Sequence, residues 1–238
     1  MTGFEVIREF PAAMAGREGA WRFIRGFAAA WVSPPADGDG WSEPELDATE
    51  ARLGVRLPVA LREAYGLFGR RTDLVGMQDV LLGPDELHIV DKALVFRVES
   101  QGAARWGIPL AELERPDPPV MIRLDLADKA AESWDGWLDR FSHACVEMVL
   151  SESLVSPEEL ADGRELDDDE GGVLEGRFTR LPLPDYPTSQ GAPGIRWYAG
   201  RDVIIRDDGA MIQVRARTVE ALDRVRAELP GEWTTRFG

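Results

Sequence analysis

The clearest alternation of apolar and polar positions lies in the middle of the chain, over residues 94–108. Leu94, Phe96 and Val98 occupy one set of alternating positions, and Arg97 belongs to the other set. A period of two residues is typical of a strand with one buried face. The pattern therefore predicts a strand that buries its first set and leaves its second set at the polar face.

A polar turn follows this strand, from Glu99 to Gly102, and Gly102 suits the positive φ that such turns need. Residues 104–108 then return as a second strand in which Trp106 is the large apolar residue. We predict a β-hairpin with a buried Trp106. The polar residues at its crest, Glu99 and Gln101, are candidate contacts for a partner, although hydrogen bonding within the turn is the alternative role.

Helical patterns precede the hairpin. A stripe of aromatic and aliphatic residues predicts a first helix over residues 12–32 that faces the core. Ser42 and Glu45 fit a capping box, so a second helix is expected to begin there and to stop at Gly54. A third helical pattern runs over residues 58–68. Two short helices followed by a hairpin indicate helices packed on a sheet.

The second half of the chain alternates short strand patterns with helices. In chain order we predict strands at 88–90 and 120–124, a helix that ends near 149, strands at 178–183 and 195–198, a hairpin over 203–214 and a last helix capped by Thr218. The C-terminal strands are few, so we expect them to extend the same sheet. The predicted fold is α+β: a central, mainly antiparallel sheet flanked by helices, in a single domain over residues 1–238.

The composition changes at Ser156, after which eight acidic residues face one basic residue, Arg164, up to Gly172. Such a run predicts an acidic surface loop over about 156–172. The alternative is that the run attracts a basic partner. Its candidate partner-binding residues are Asp167, Asp168, Asp169 and Glu170.

The net charge narrows the choice of partners. Forty-three acidic and 27 basic residues give a formal charge of −16. A chain this acidic repels nucleic acid and anionic membranes and attracts basic proteins. Solubility alone is the alternative explanation for the charge. We therefore expect a protein partner, no nucleic acid and no membrane.

Cysteine use and hydropathy indicate a compartment. Cys145 is the single cysteine, which rules out an intramolecular disulfide and fits a reducing environment. No apolar run approaches the ~20 residues needed to span a bilayer. The N-terminus also lacks the basic and apolar order of a signal peptide. A cytoplasmic protein is expected.

Residues with catalytic chemistry are few. The two histidines, His88 and His143, lie far apart, and with one cysteine they make no recognisable metal site. His143 and Cys145 are two residues apart on a predicted helix and point to different faces, so Cys145 is assigned to the core. We expect no metal, no cofactor and no enzyme activity. The one enzyme alternative is an acid–base hydrolase that uses Asp125 and Asp128 as paired carboxylates.

Two stretches carry a resemblance to a known family. The run LVFRVESQGAARWGI at 94–108, with PDPPV at 116–120, resembles the central signature of the SUKH superfamily. The stretch WSEPELDATEARLGVRLPVALREAYGLFG at 41–69 resembles the opening of that superfamily, so the resemblance covers 41–120. Ser100 stands where the family often has Asn, and 69–71 replace its frequent Asn-Gly-Gly.

The resemblance implies a function that the residue patterns do not give. Most SUKH proteins are bacterial immunity proteins that bind and neutralise toxins, and some are regulators. The first hypothesis is thus a non-enzymatic immunity protein that occludes a cognate toxin. The negative net charge of the chain favours a basic toxin, such as one that acts on nucleic acid. The second is an intracellular regulatory or scaffold domain of the same superfamily. The third is the hydrolase.

Overall fold

A computed structural model describes residues 3–166, 172–188 and 191–234. The α+β class and the antiparallel pairing predicted from the sequence are confirmed. The helices are α1 Val6–Ala15, α2 Arg17–Trp31, α3 Glu43–Leu53, α4 Val59–Phe68, α5 Thr72–Val75, α6 Phe141–Ser153 and α7 Val219–Glu228. The strands are β1 Asp79–Leu81, β2 His88–Val90, β3 Ala93–Glu99, β4 Ala104–Pro109, β5 Val120–Leu124, β6 Asp135–Leu138, β7 Ala161–Glu165, β8 Thr179–Arg180, β9 Tyr186–Thr188, β10 Gly191–Gly200, β11 Val203–Asp207 and β12 Met211–Ala216.

Local sequence signals placed several elements correctly. The Ser42 hydroxyl and the Glu45 side chain form the predicted capping box at the start of α3, and α3 ends at Gly54 with φ 70°. Thr218 accepts a hydrogen bond from the Ala221 N–H and caps α7. Each of these motifs satisfies backbone groups that a helix end leaves unpaired, so the motif alone fixes the boundary.

The predicted first helix is in fact two helices. Gly16 separates α1 from α2, and the chain reverses there, so that Phe10 of α1 packs 5.1 Å from Phe23 of α2 between ring centroids. The prediction of one helix over 12–32 was wrong, because a single rod would leave the apolar face of α1 without a partner. Pro11 lies inside α1.

The strands form two sheets in the described residues, not the single sheet predicted. The first has the order β1-β3-β4-β5-β6 with β2 also paired to β3, and the second has the order β7-β12-β11-β10-β8 with β9 paired to β10. Helix α6 is buried along nearly its whole length and contacts both: Phe141 packs on Phe96 of β3, and Glu147 bonds Tyr186 of β9. A helix that is buried on all sides needs partners on more than one side, and a single sheet covers only one of them.

The acidic surface loop predicted at about 156–172 is also wrong over much of its length. Residues 158–160 form a 3-10 helix, and β7 pairs with β12. Asp162 and Arg164 within β7 are buried, and the Asp162 carboxylate bonds the Arg226 guanidinium at 2.7 Å. Asp162 thus enters the interior with a partner of opposite sign, which a composition count cannot reveal.

Candidate protein-binding site

The turn of the β3–β4 hairpin is held by Glu99, one of the predicted partner contacts. Its Oε2 accepts hydrogen bonds from the N–H groups of Gln101 (2.7 Å) and Ala103 (3.0 Å). Partial burial raises the pKa of Glu99, but these backbone donors lower it by more, so the pKa lies below its ordinary value. Glu99 therefore stabilises the turn, and its contact with a partner stays a prediction.

Gln101, the second predicted contact at the crest, is placed differently. The N–H of Gly102 donates to the Glu99 carbonyl oxygen at 2.9 Å, and Gly102 has φ 80°, so the turn projects the intervening residues into solvent. The Gln101 side chain is exposed and has no hydrogen-bond partner in the described parts of the chain. It is available for an intermolecular contact.

Carboxyl groups gather at the end of the first sheet where this turn lies. Asp79 of β1 is directly opposite Glu99, and the Asp125 N–H donates to the Ala103 carbonyl at 2.8 Å, which brings the loop after β5 beside the turn. Exposed Met77 and Leu126 lie next to these residues in the chain. We call this region the acidic end. Its carboxyl groups belong to Asp79, Glu99, Asp125, Asp128, Glu132 and Asp135, and its basic groups to Arg97, Arg105, Arg123 and Lys129.

Asp125 and Asp128, the residues of the hydrolase hypothesis, each make a local contact. Asp125 bonds the ammonium group of Lys129 at 2.6 Å. Asp128 accepts from the Ala130 N–H at 3.0 Å and caps a 3-10 helix at 129–131. Both interactions explain these carboxylates as parts of a surface loop.

Beneath the acidic end lies a buried charge cluster that the sequence pattern did not predict. Val95 pairs with Gly107 and Arg97 pairs with Trp106, so β3 contains one extra residue at Phe96. This bulge turns Phe96 and Arg97 to the same side, where both contact α6. Arg97 is 2% exposed instead of lying on a polar face, because strict alternation does not hold through a bulge.

Three carboxyl groups surround the Arg97 guanidinium. Its Nη1 donates to Glu147 at 3.0 Å, and its Nη2 donates to Asp79 at 2.8 Å and to Glu152 at 3.2 Å. The guanidinium carbon also lies 4.5 Å from the ring centroid of Trp106. Burial lowers the pKa of Arg97, but the three acidic partners raise it by more, so the residue stays charged.

The cluster connects distant parts of the fold. Glu152 accepts from three consecutive N–H groups, those of residues 77, 78 and 79, and so fastens β1 to α6. Glu147 accepts from the Tyr186 hydroxyl at 2.7 Å, and Tyr186 accepts from the Trp197 indole at 3.0 Å. The network therefore runs from the acidic end through α6 to the second sheet.

Asp79 makes this cluster sensitive to pH. Burial raises its pKa to about 6, and Glu152, Glu147 and Glu99 act in the same direction against the opposing effect of Arg97. The folded state thus holds a proton on Asp79 that the unfolded chain, with an ordinary pKa of 3.8, has already lost. As pH rises from 3.8 to about 6, the contribution of Asp79 to the free energy of unfolding therefore falls by roughly 3 kcal/mol in all.

Asp79→Asn is therefore expected to be more stable than the natural chain by about 1–3 kcal/mol at pH 7.5, and this advantage should shrink towards pH 4. Urea unfolding at a series of pH values measures the difference. Asp85→Asn, a change in an exposed loop, is the matched control and should show no such trend. A less stable Asp79→Asn at pH 7.5 would show that the Asp79 charge is needed by Arg97.

The other residues singled out from the sequence lie away from the acidic end or outside the residues that the structure describes. Cys145 is buried in the core as predicted, and burial raises the pKa of its thiol well above the ordinary value. His143 is mostly buried, and this burial lowers the pKa of its imidazole. Residues 167–170, the acidic partner-binding candidates, lie outside the described residues. In the described parts of the chain, no group of three or more His, Cys, Asp or Glu residues is placed to hold a metal ion.

Comparison with protein-family models, with curated proteins and with solved structures found no match to this chain. Among the described helices, none combines the length and the apolar character that crossing a membrane requires.

Proposed function

We propose that this protein is a non-enzymatic immunity protein of the SUKH type, which binds a cognate toxin in the bacterial cytoplasm and covers its active surface. The observation that carries the proposal is the acidic end: the hairpin crest presents the exposed Gln101 amide, Glu99 and the loop at Asp125 lie beside the crest, and Met77 and Leu126 are exposed nearby in the chain. Carboxylates around apolar contacts suit a basic protein surface.

The rigid support under this surface strengthens the proposal. Glu99 holds the turn, and Glu152 holds the backbone of residues 77–79 from within. A surface that is ordered before binding loses little conformational entropy when it meets a partner, which favours tight inhibition. Occlusion needs no chemistry by the inhibitor, so the proposal requires no catalytic group.

The proposal is tested with the product of the toxin gene expected beside this one. Co-expression should relieve growth arrest caused by that product, and the two purified proteins should form a stable complex. A complex that forms without relief of growth arrest would support the regulatory or scaffold alternative. Absence of both complex and relief would contradict the proposal.

Salt dependence provides a quantitative prediction for the same complex. Electrostatic attraction between two proteins of opposite charge raises their association rate. Salt screens this attraction beyond a Debye length of about 8 Å at physiological ionic strength. With a formal charge of −16, the association rate should fall steeply as salt rises while the dissociation rate changes less. Stopped-flow fluorescence measures both rates.

The acidic run outside the described residues is tested by the same measurement. Neutralising Asp167, Asp168, Asp169 and Glu170 together to their amides should flatten the salt dependence if the run faces the toxin. An unchanged slope would show that the run is a solvated loop that does not steer the encounter.

A further inference from the structure

The buried cluster around Arg97 contains more negative than positive charge. Asp79, Glu147 and Glu152 each bond the same guanidinium, so three carboxyl groups share one cation. With every group ionised, the cluster would carry a net charge of −2. Unbalanced charge is unfavourable inside a protein, where water cannot solvate it. The cluster therefore requires further positive charge, which either a proton or a cation outside it can supply.

The excess negative charge falls on Asp79. Glu152 accepts hydrogen bonds from the N–H groups of residues 77–79, and Glu147 accepts from two hydroxyl groups, in addition to their bonds with Arg97. Asp79 bonds Arg97 through its Oδ2, whereas no described group bonds its Oδ1, which is too buried for a ligand but not for a proton. Hydrogen-bond donors stabilise an ionised carboxyl group, and Asp79 has the fewest of them. It is therefore the carboxyl group of the cluster at which a proton binds most readily.

The other charged groups near Asp79 increase this need for positive charge. Glu99 lies directly opposite on β3 and adds a negative charge. Asp73 of the preceding helix, α5, bonds Arg71 at 2.7 Å, so that guanidinium is already engaged. Burial, together with the neighbouring carboxyl groups, raises the pKa of Asp79 to about 6 against the opposing effect of Arg97. Asp79 is thus protonated in weak acid and ionised at neutral pH.

Asp79 also reaches the surface at the acidic end. Its side chain is 14% exposed, and the two residues before it, Met77 and Gln78, are exposed. A cation on a bound protein can therefore approach the carboxyl group without entering the interior. A unit positive charge at about 7 Å, with an effective dielectric constant of about 20, favours ionised Asp79 by more than ~10-fold. Such a cation can take over the role of the proton.

We infer that a cationic partner bound at the acidic end displaces the proton of Asp79, so that this residue makes the affinity rise with pH. The inference rests on the proposed function for the charge of the partner. The proton passes from the Asp79 carboxyl group to solvent, and a lysine or arginine of the partner supplies positive charge in its place. Linkage requires the reverse effect as well: a low pH that protonates Asp79 weakens the complex.

Isothermal titration of the full chain with a hexa-arginine peptide, which stands in for the basic surface of a toxin, tests the inference. At pH 5.5, in buffers of different ionisation enthalpy, the natural chain should release about half a proton or more per bound peptide beyond the number that Asp79→Asn releases. At pH 7.5 the natural chain should bind at least ~10-fold more tightly than Asp79→Asn, and this advantage should shrink at least ~5-fold by pH 5.

Asp79→Asn keeps the shape of the side chain and is expected to be at least as stable as the natural chain, so a change in binding reports the lost charge. Asp85→Asn removes a carboxylate from an exposed loop and is the matched control, which should bind within about twofold of the natural chain. Equal proton release by the natural chain and Asp79→Asn, equal losses of affinity in both variants, or no binding of the peptide at pH 7.5 would overturn the inference. A toxin that forms no complex would contradict the proposed function, and the peptide measurements distinguish the two failures.

Discussion

Arg97→Met is expected to lower the free energy of unfolding by about 3–5 kcal/mol at pH 7.5. The substitution keeps an unbranched side chain of similar length but removes the cation that Asp79, Glu147 and Glu152 share. Glu147 and Glu152 are almost completely buried, so water cannot replace the guanidinium. Chemical denaturation followed by tryptophan fluorescence measures the loss.

Two comparisons make this result specific. Arg105→Met changes an arginine of the adjacent strand that is only half-buried and has no ionic partner in the described parts of the chain, and it should cost less than about 0.5 kcal/mol. The cost of Arg97→Met should also shrink in acid, where Asp79, whose pKa is raised to about 6, takes up a proton. Equal costs for Arg97→Met and Arg105→Met would show that the buried cluster contributes nothing particular to stability.

Trp106→Ala is expected to cost about 3–5 kcal/mol, as large aromatic deletions in cores do. The prediction that Trp106 is buried is confirmed: the residue is 7% exposed, its ring centroid lies 5.7 Å from that of Trp137, and its face covers the Arg97 guanidinium. Its removal opens a cavity beside a buried charge. Thermal unfolding measures the effect.

Trp106→Phe is the control for ring volume and should cost clearly less than Trp106→Ala, because it keeps an aromatic ring in the same position. If Trp106→Ala left the melting temperature unchanged and abolished partner binding, the indole would be a contact residue. The assignment of Trp106 to the core would then be wrong.

What the sequence predicted well was encoded within a few residues. The β3–β4 hairpin, the capping box at Ser42 and Glu45 and the stop at Gly54 each depend on neighbours along the chain. Their hydrogen bonds close locally, so a residue pattern is sufficient to identify them. The turn at Glu99, which supports the candidate site, belongs to this group.

The features that could not be predicted from the sequence depend on contacts between residues far apart in the chain. The bulge at Phe96 reverses the face of Arg97, and Glu147 and Glu152 meet it from a helix some 50 residues later. Likewise, Asp162 enters the interior of the second sheet because Arg226 of α7 meets it there. In each case a charged residue is buried as one member of an ion pair. From the sequence alone such a residue is assigned to the surface, because its partner is not known. A charged residue at the centre of an otherwise apolar strand, as Arg97 is, was the one available signal.

Binding by a Gln101→Arg variant tests the central claim, that the hairpin crest at the acidic end contacts a basic toxin. The added positive charge should repel such a toxin and weaken the complex by at least ~10-fold. Ala111→Arg adds the same charge at an exposed position beyond the opposite end of β4 and serves as the matched control. Surface plasmon resonance with the toxin that we propose as the partner should show weaker binding for Gln101→Arg and an affinity within about twofold of the natural chain for Ala111→Arg. Unchanged binding by Gln101→Arg, or equal losses for both variants, would contradict the assignment of the acidic end as the toxin-binding surface.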